Sequence, residues 1–224
     1  MAEVTQIAIA IFAKAPIAGY AKTRLIPQLG THGAASLQHQ LIAKTIATAR
    51  AANLGPVALW CTPTAHEPAF ETLAAREQVL RFTQTDGDLG RRMDHAFQVM
   101  TAQMPTLLVG TDCPALEPPH FMDCAQILKQ GNDAVFIPVE DGGYILVGLR
   151  RPAPALFRDM AWGSARVMAA TRARARALGL SWQEQPALWD LDVAADYDRA
   201  RALGLIEAAD WRPESSPDRN GVLS

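Results

Sequence analysis

Short apolar runs rich in β-branched residues recur along this chain, and longer Ala-rich segments separate them. That alternation constrains the fold more than any other feature, because it is how strand–helix–strand units with a mostly parallel sheet are written. The run 7–12 is continuously apolar rather than alternating, which marks a strand covered on both faces. Further strands are expected at 57–61, 79–83, 106–109, 134–139, 144–148 and 180–185. A loop is expected from the first strand to about Thr31. The segment 34–52 has strong helix propensity, and Asn53-Leu54-Gly55-Pro56 supplies its stop. Helices are also expected at 89–100, at 118–129 behind Pro118-Pro119, at 164–178 before Gly179, and at 194–203. The turn Asp141-Gly142-Gly143 separates two strands, which predicts either a hairpin or an antiparallel insertion.

At 224 residues and 49% hydrophobic residues the chain suffices for one domain with a real core. That domain is expected over 1–212, with a frayed tail at 213–224 rich in Ser, Pro, Asp and Asn. A net charge of -2 gives no global field for nucleic acid or an acidic membrane. The three cysteines, Cys61, Cys113 and Cys124, are odd in number and contain no CxxC pair, which fits a reducing compartment. No run approaches the ~18 apolar residues of a membrane helix, and the first residues lack the basic region of a signal peptide. A soluble cytoplasmic protein that binds no nucleic acid is expected; nothing in the sequence sets an oligomeric state. The five histidines show no zinc spacing. Cys113, next to Asp112, has no histidine partner evident in sequence and reads as a packing residue.

Chemistry is expected in the loop after the first strand, because parallel α/β sheets bind ligands at the carboxyl ends of their strands. Phe12-Ala13-Lys14-Ala15-Pro16 runs on to Gly19-Tyr20-Ala21-Lys22-Thr23-Arg24. Gly19 permits close backbone approach, and Lys14, Lys22 and Arg24 can surround an anion. Gly19 is separated from Lys22 by two residues, so this is not a Walker loop, and it is not GxGxxG. A solvated basic loop is the plainer alternative.

Several acidic positions complete the pattern. Asp112 follows the strand 106–109 and arrives at the same sheet edge, where a carboxylate can hold Mg²⁺ or Mn²⁺; otherwise it caps a helix. Asp192, with Asp190 beside it, is a second candidate metal ligand or a cap for the last helix. Asp141 can accept a proton from an acceptor hydroxyl, with Gly142 and Gly143 leaving room above the sheet, although Asp-Gly is also ordinary turn chemistry. Asp88 and Gly90, in Asp86-Gly87-Asp88-Leu89-Gly90-Arg91-Arg92-Met93, start a helix whose amides can bind a base or phosphate, or which Asp88 simply caps. Trp162-Gly163-Ser164 can line an acceptor pocket or simply cap the next helix.

These motifs in this order resemble the bacterial GT-A-like transferases described as radical-SAM/selenodomain-associated. The residues concerned are the first loop, Leu89-Gly90-Arg91-Arg92-Met93, Gly110-Thr111-Asp112-Cys113-Pro114, Asp141-Gly142-Gly143-Tyr144 and Asp190-Leu191-Asp192, spanning 7–197. The resemblance implies a three-layer α/β/α fold of the nucleotide-diphospho-sugar transferase (GT-A) type with a mostly parallel central sheet. It implies a glycosyltransferase-like activity, linked in some members to arsenosugar biosynthesis. By the same resemblance, Lys14, Lys22 and Arg24 meet nucleotide phosphates, and Asp112 and Asp192 hold the metal, with Asp190 the alternative. Asp141 and Tyr144 face a small-molecule acceptor. One departure stands out: Gly110 sits two before Asp112, where many GT-A glycosyltransferases carry the first Asp of Asp-x-Asp. The single Asp is closer to nucleotidyltransferases of the same fold.

Three readings follow. The first is a metal-dependent transferase using a nucleotide-diphospho-sugar and a small acceptor. The second is a nucleotidyltransferase that couples an NTP to a phosphorylated small molecule and releases pyrophosphate. The third is a non-catalytic nucleotide-binding module, since fold alone does not fix function.

Overall fold

The computed structural model describes residues 6–208. The expected tail at 213–224 and the domain boundary at 212 lie outside them. One seven-stranded sheet organises the described chain. Its strands are Ala8–Lys14 (β1), Val57–Thr62 (β2), Leu80–Thr83 (β3), Thr106–Gly110 (β4), Ala134–Pro138 (β5), Tyr144–Leu149 (β6) and Trp182–Glu184 (β7). They lie in the order β3-β2-β1-β4-β6-β5-β7. All pairings are parallel except those of β6, which runs antiparallel between β4 and β5. Of the two arrangements open for 134–148, both features are therefore present: a hairpin, and an antiparallel strand inserted into the sheet.

The helices are Ile26–Ala51 (α1), Pro68–Glu77 (α2), Leu89–Thr101 (α3), Pro118–Lys129 (α4), Val167–Ala177 (α5) and Ala194–Ala202 (α6). Successive strand side chains alternate between faces, and the core divides accordingly. Ile9, Ile11, Leu107, Val109 and Ile137 pack with Ile42 and Ile46 of α1, Phe70 of α2 and Phe121 of α4. Ala10, Trp60, Leu108, Phe136 and Val147 pack on the other side with Met93 and Phe97 of α3 and Met168 of α5. The result is the expected α/β/α sandwich with buried, mostly parallel strands. A third cluster joins Leu37 and Leu41 of α1 to Trp189, Leu191 and Tyr197, and so clamps the segment before α6 against α1.

Three differences from the sequence expectation have local causes. Helix α1 starts at Ile26 but breaks at Gly30, so its regular part begins close to the expected start. Helix α2 was not expected; Pro68 at its first turn and buried Phe70, Leu73 and Ala74 at helical spacing account for it. The segment 164–166 is turn rather than helix, and α5 begins at Val167.

Candidate functional site

The carboxyl ends of β1 and β4 lie side by side, because these strands pair in register from Ala8↔Thr106 to Phe12↔Gly110. This adjacency brings the first loop to Asp112. Lys22 Nζ is 2.6 Å from Asp112 Oδ1 and donates to the Leu191 carbonyl at 2.5 Å. The Lys22 side chain is only 5% exposed, whereas that of Asp112 is 53% exposed. Lys22 sits in the left-handed backbone region, with φ 48°, and this turns its side chain back under the loop. Buried Ala15, Ala21 and Leu25 anchor the loop on both sides.

The second carboxylate group arrives from the far end of the chain. Leu191 N–H donates to the Asp112 carbonyl at 2.7 Å, so the β4 end and the 190–192 segment form one backbone unit. Arg24 pairs with Asp192 on the surface. Asp196 Oδ2 accepts from the amides of Asp192 (3.0 Å) and Val193 (2.9 Å), so the start of α6 is capped by Asp196 rather than by Asp192. Between these groups lies Asp190, half-buried. Burial, followed by the neighbouring Asp141 carboxylate and then those of Asp112 and Asp192, pushes its carboxyl up to about 6; its own backbone N–H works against the rise.

Lys14 projects from the end of β1 with its ammonium 4.2 Å from the Tyr20 ring centroid, a cation–π contact that leaves the cation on the surface. Gly19, with φ +78°, turns the loop between Lys14 and Lys22. Behind the loop, Gln38 of α1 is 3% exposed and donates to the Lys14 carbonyl (3.1 Å) and to Thr111 Oγ1 (3.2 Å). Gln38 thus ties together the ends of the two strands that carry Lys14 and Asp112. Gln38 was not among the residues expected from the sequence, although a polar residue within the buried stripe Ala34, Leu37, Leu41, Thr45 was a usable signal.

The remaining candidates form a second wall. Asp141 Oδ1 accepts from Gly143 N–H at 3.0 Å, an Asx-type turn that leaves the carboxylate exposed. Gly142 has φ +93°, its carbonyl accepts from Met168 N–H at 2.8 Å, and a Cβ there would lie 2.2 Å from the Ala165 oxygen. The turn is therefore pressed against the segment after Trp162. Tyr144 and Trp162 meet edge to face with centroids 6.4 Å apart, and a Cβ on Gly90 would lie 3.0 Å from Trp162 Nε1. Burial drives the Tyr144 phenol pKa upward, so it acts as a neutral hydroxyl. Asp88 caps α3, its Oδ1 accepting from Arg91 N–H at 2.8 Å. Asp88 and Gly90 line a hollow of about 310 Å³ beside α3, whose lining includes Arg158 and Asp159 but not Lys14, Lys22 or Asp112. The structure thus gathers two groups, Lys22 and Arg24 with Asp112, Asp190, Asp192 and Asp141, and Gly90 with Tyr144 and Trp162, while the Lys14 ammonium rests on the Tyr20 ring.

Burial pushes the Cys113 thiol up to about 12, which leaves it protonated and inert beside Asp112. Among the described residues no three His, Cys, Asp or Glu side chains gather closely enough to hold a metal by themselves.

The family model described as "Uncharacterized protein conserved in bacteria (DUF2064)" matches residues 45–164, more than half of the chain. The chain belongs to this family. None of the curated proteins matches it. Among solved structures, a Desulfovibrio desulfuricans G20 protein provisionally described as a nucleotide-diphospho-sugar transferase superimposes with TM-score 0.78 and 28% identity, covering 87% of this chain and 85% of that one. A cytidylyltransferase from Leptospira borgpetersenii serovar Hardjo-bovis (strain JB197) gives TM-score 0.61 and 13% identity over 92% of this chain and 90% of that one. A CMP:2-keto-3-deoxy-manno-octonic acid synthetase complexed with CTP gives 0.56 and 12% over 89% and 98%. At these last identities the likeness is one of fold. The DUF2064 chain therefore has the α/β fold of nucleotide-diphospho-sugar transferase-like proteins, and among its described residues no helix is long and apolar enough to cross a membrane.

Proposed function

We propose that this chain is a transferase that binds a nucleotide-diphospho-sugar at the carboxyl edge of β1 and β4 and passes the sugar to a small-molecule acceptor. The carrying observation is the loop of Lys14, Lys22 and Arg24 set against Asp112, Asp190 and Asp192 at one strand edge. Cations there suit a diphosphate; carboxylates suit a divalent cation. The 28%-identical structure named above supports the donor class.

Mg²⁺ or Mn²⁺ fits this donor set. The ligands are hard carboxylate oxygens, burial and then the neighbouring carboxylates raise the Asp190 carboxyl, and the Lys22 ammonium already stands as a cation on Asp112. Asp112 with Asp192, or with Asp190, would hold the ion, and phosphate oxygens and water would complete its shell. When bound, it would neutralise charge building on the departing diphosphate. In the transfer itself the acceptor hydroxyl oxygen bonds to the anomeric carbon. The bond from that carbon to the β-phosphate oxygen breaks, and its electron pair leaves with the nucleoside diphosphate. Lys14, Lys22 and Arg24 bind the diphosphate. Asp141, exposed in its turn, takes the acceptor proton, and Tyr144 and Trp162 position the acceptor. Intermediates of arsenosugar biosynthesis are one acceptor class to try.

One observation favours a second reading, nucleotidyl transfer with release of pyrophosphate: Gly110 replaces the first carboxylate of an Asp-x-Asp strand end. A thermal-shift panel of nucleotide-sugars and NTPs, with and without Mn²⁺, separates the two, because ligands of the native state raise Tm by mass action. A Mn²⁺-dependent rise with a nucleotide-sugar and not with the matching NTP is expected. The reverse preference would select nucleotidyl transfer, and no shift at all would overturn both.

A further inference from the structure

Lys22 has partners that phosphate binding alone does not require. Its ammonium is buried, held by Asp112 Oδ1 at 2.6 Å and by the Leu191 carbonyl at 2.5 Å. Those two acceptors are fixed to each other, since Leu191 N–H donates to the Asp112 carbonyl and the Leu191 side chain is fully buried. The loop is anchored through Ala15, Ala21 and Leu25, so the mobile part of the contact is the four-carbon lysine stem. Two residues on, Arg24 makes the corresponding pair with Asp192. One loop thus places a cation on each of the two carboxylates assigned to the metal.

We propose that Lys22 is the resident counter-ion of Asp112 and sets the order of binding: a divalent cation gains Asp112 only when a phosphate group receives the lysine. This rests on the metal role given to Asp112 above. A cation arriving alone has to evict the ammonium, leaving it buried with only a backbone carbonyl, an expensive state for a charge. A cation arriving with a diphosphate offers both groups a new partner in one step: the carboxylate meets the metal and the ammonium meets phosphate. Lys22 is therefore a positioning residue for the metal as well as a phosphate ligand, and the ligand-free protein holds Mg²⁺ or Mn²⁺ weakly.

The test is a titration of Mn²⁺ alone, followed by the EPR signal of the free ion, on wild type, Lys22→Met, Lys22→Arg and the double variant Lys22→Met/Asp112→Asn. Lys22→Met is expected to bind Mn²⁺ on the order of tenfold more tightly than wild type, a modest gain because Asp112 is half exposed and screened. Lys22→Arg keeps the cation and should match wild type. The double variant should lose the gain, which a merely structural effect of the methionine would not require. Unchanged or weaker Mn²⁺ binding in Lys22→Met would overturn the inference. Lys22→Gln, which keeps an N–H for the Leu191 carbonyl, carries the same expectation if the methionine variant does not fold. No nucleotide is present, so a protein that ignores every nucleotide yet gains Mn²⁺ affinity in Lys22→Met would refute the transferase reading and the phosphate-coupled order, and leave the counter-ion role of Lys22 standing.

Discussion

Two ion pairs come from one loop and differ in almost everything else. Lys22–Asp112 is covered on the lysine side, has a backbone carbonyl as third partner and is fixed by the β1–β4 register. Arg24–Asp192 is open to water, with side chains 69% and 47% exposed. Exposed pairs contribute roughly 0–1 kcal/mol, whereas breaking a covered pair strands a charge. Beside them sits Asp190, crowded by Asp141, Asp112 and Asp192. The three carboxylates thus range from firmly neutralised, through loosely neutralised, to uncompensated. That gradation suits the proposed phosphate–metal site: charge is held ready, but not so tightly that a ligand cannot take it over.

The sharpest way to break the comparison is Asp112→Asn. It should lower turnover roughly 10²–10³-fold, as expected when a group stabilising transition-state charge is lost, while a cooperative melt persists because Asp112 is half exposed. Near-normal turnover would remove Asp112 from the chemistry. Next comes Gln38→Leu, which unties Lys14 from Thr111. Loss of about 1–3 kcal/mol is expected from two acceptors left without their donor, read by denaturant melts, together with weaker nucleotide binding.

Asp190→Asn probes the uncompensated member. Its folded carboxyl titrates near 6, above the ordinary 3.8, so the native state binds more protons than the unfolded chain between about pH 4 and 6. Stability therefore falls as pH rises through that window, and the penalty is fully present above it. The asparagine variant should be more stable than wild type at pH 8, by on the order of 1 kcal/mol after discounting for solvent screening. Below about pH 4, where the carboxyl is protonated in both states, the two should be nearly equal. A gain that is the same at both pH values would show that charge is not the cause. The smallest effect belongs to Arg24→Gln: less than about 1 kcal/mol in stability, vanishing in high salt, as thermal melts at two ionic strengths would reveal.

Much of this was legible in the sequence because local signals agreed with one another. The continuous run before Phe12 and the Gly- and Pro-marked helix ends placed most strands and helices, and strand ends located Lys14 and Asp112. Long-range facts were not legible. No local pattern says that β6 lies between β4 and β5, that Asp196 relieves Asp192 of capping, or that Lys22 turns under its own loop to meet Asp112. Those depend on strand order and on one left-handed backbone position. Helix α2 was missed because ten residues with buried positions only at Phe70, Leu73 and Ala74 give a weak period.

The most direct test of the central claim is a Mn²⁺ anomalous difference map from crystals grown with Mn²⁺ and a nucleoside diphosphate. One peak is expected against Asp112, with the diphosphate between it and Lys14 and Lys22. A diphosphate bound elsewhere, with Lys22 still paired to Asp112, would contradict the claim.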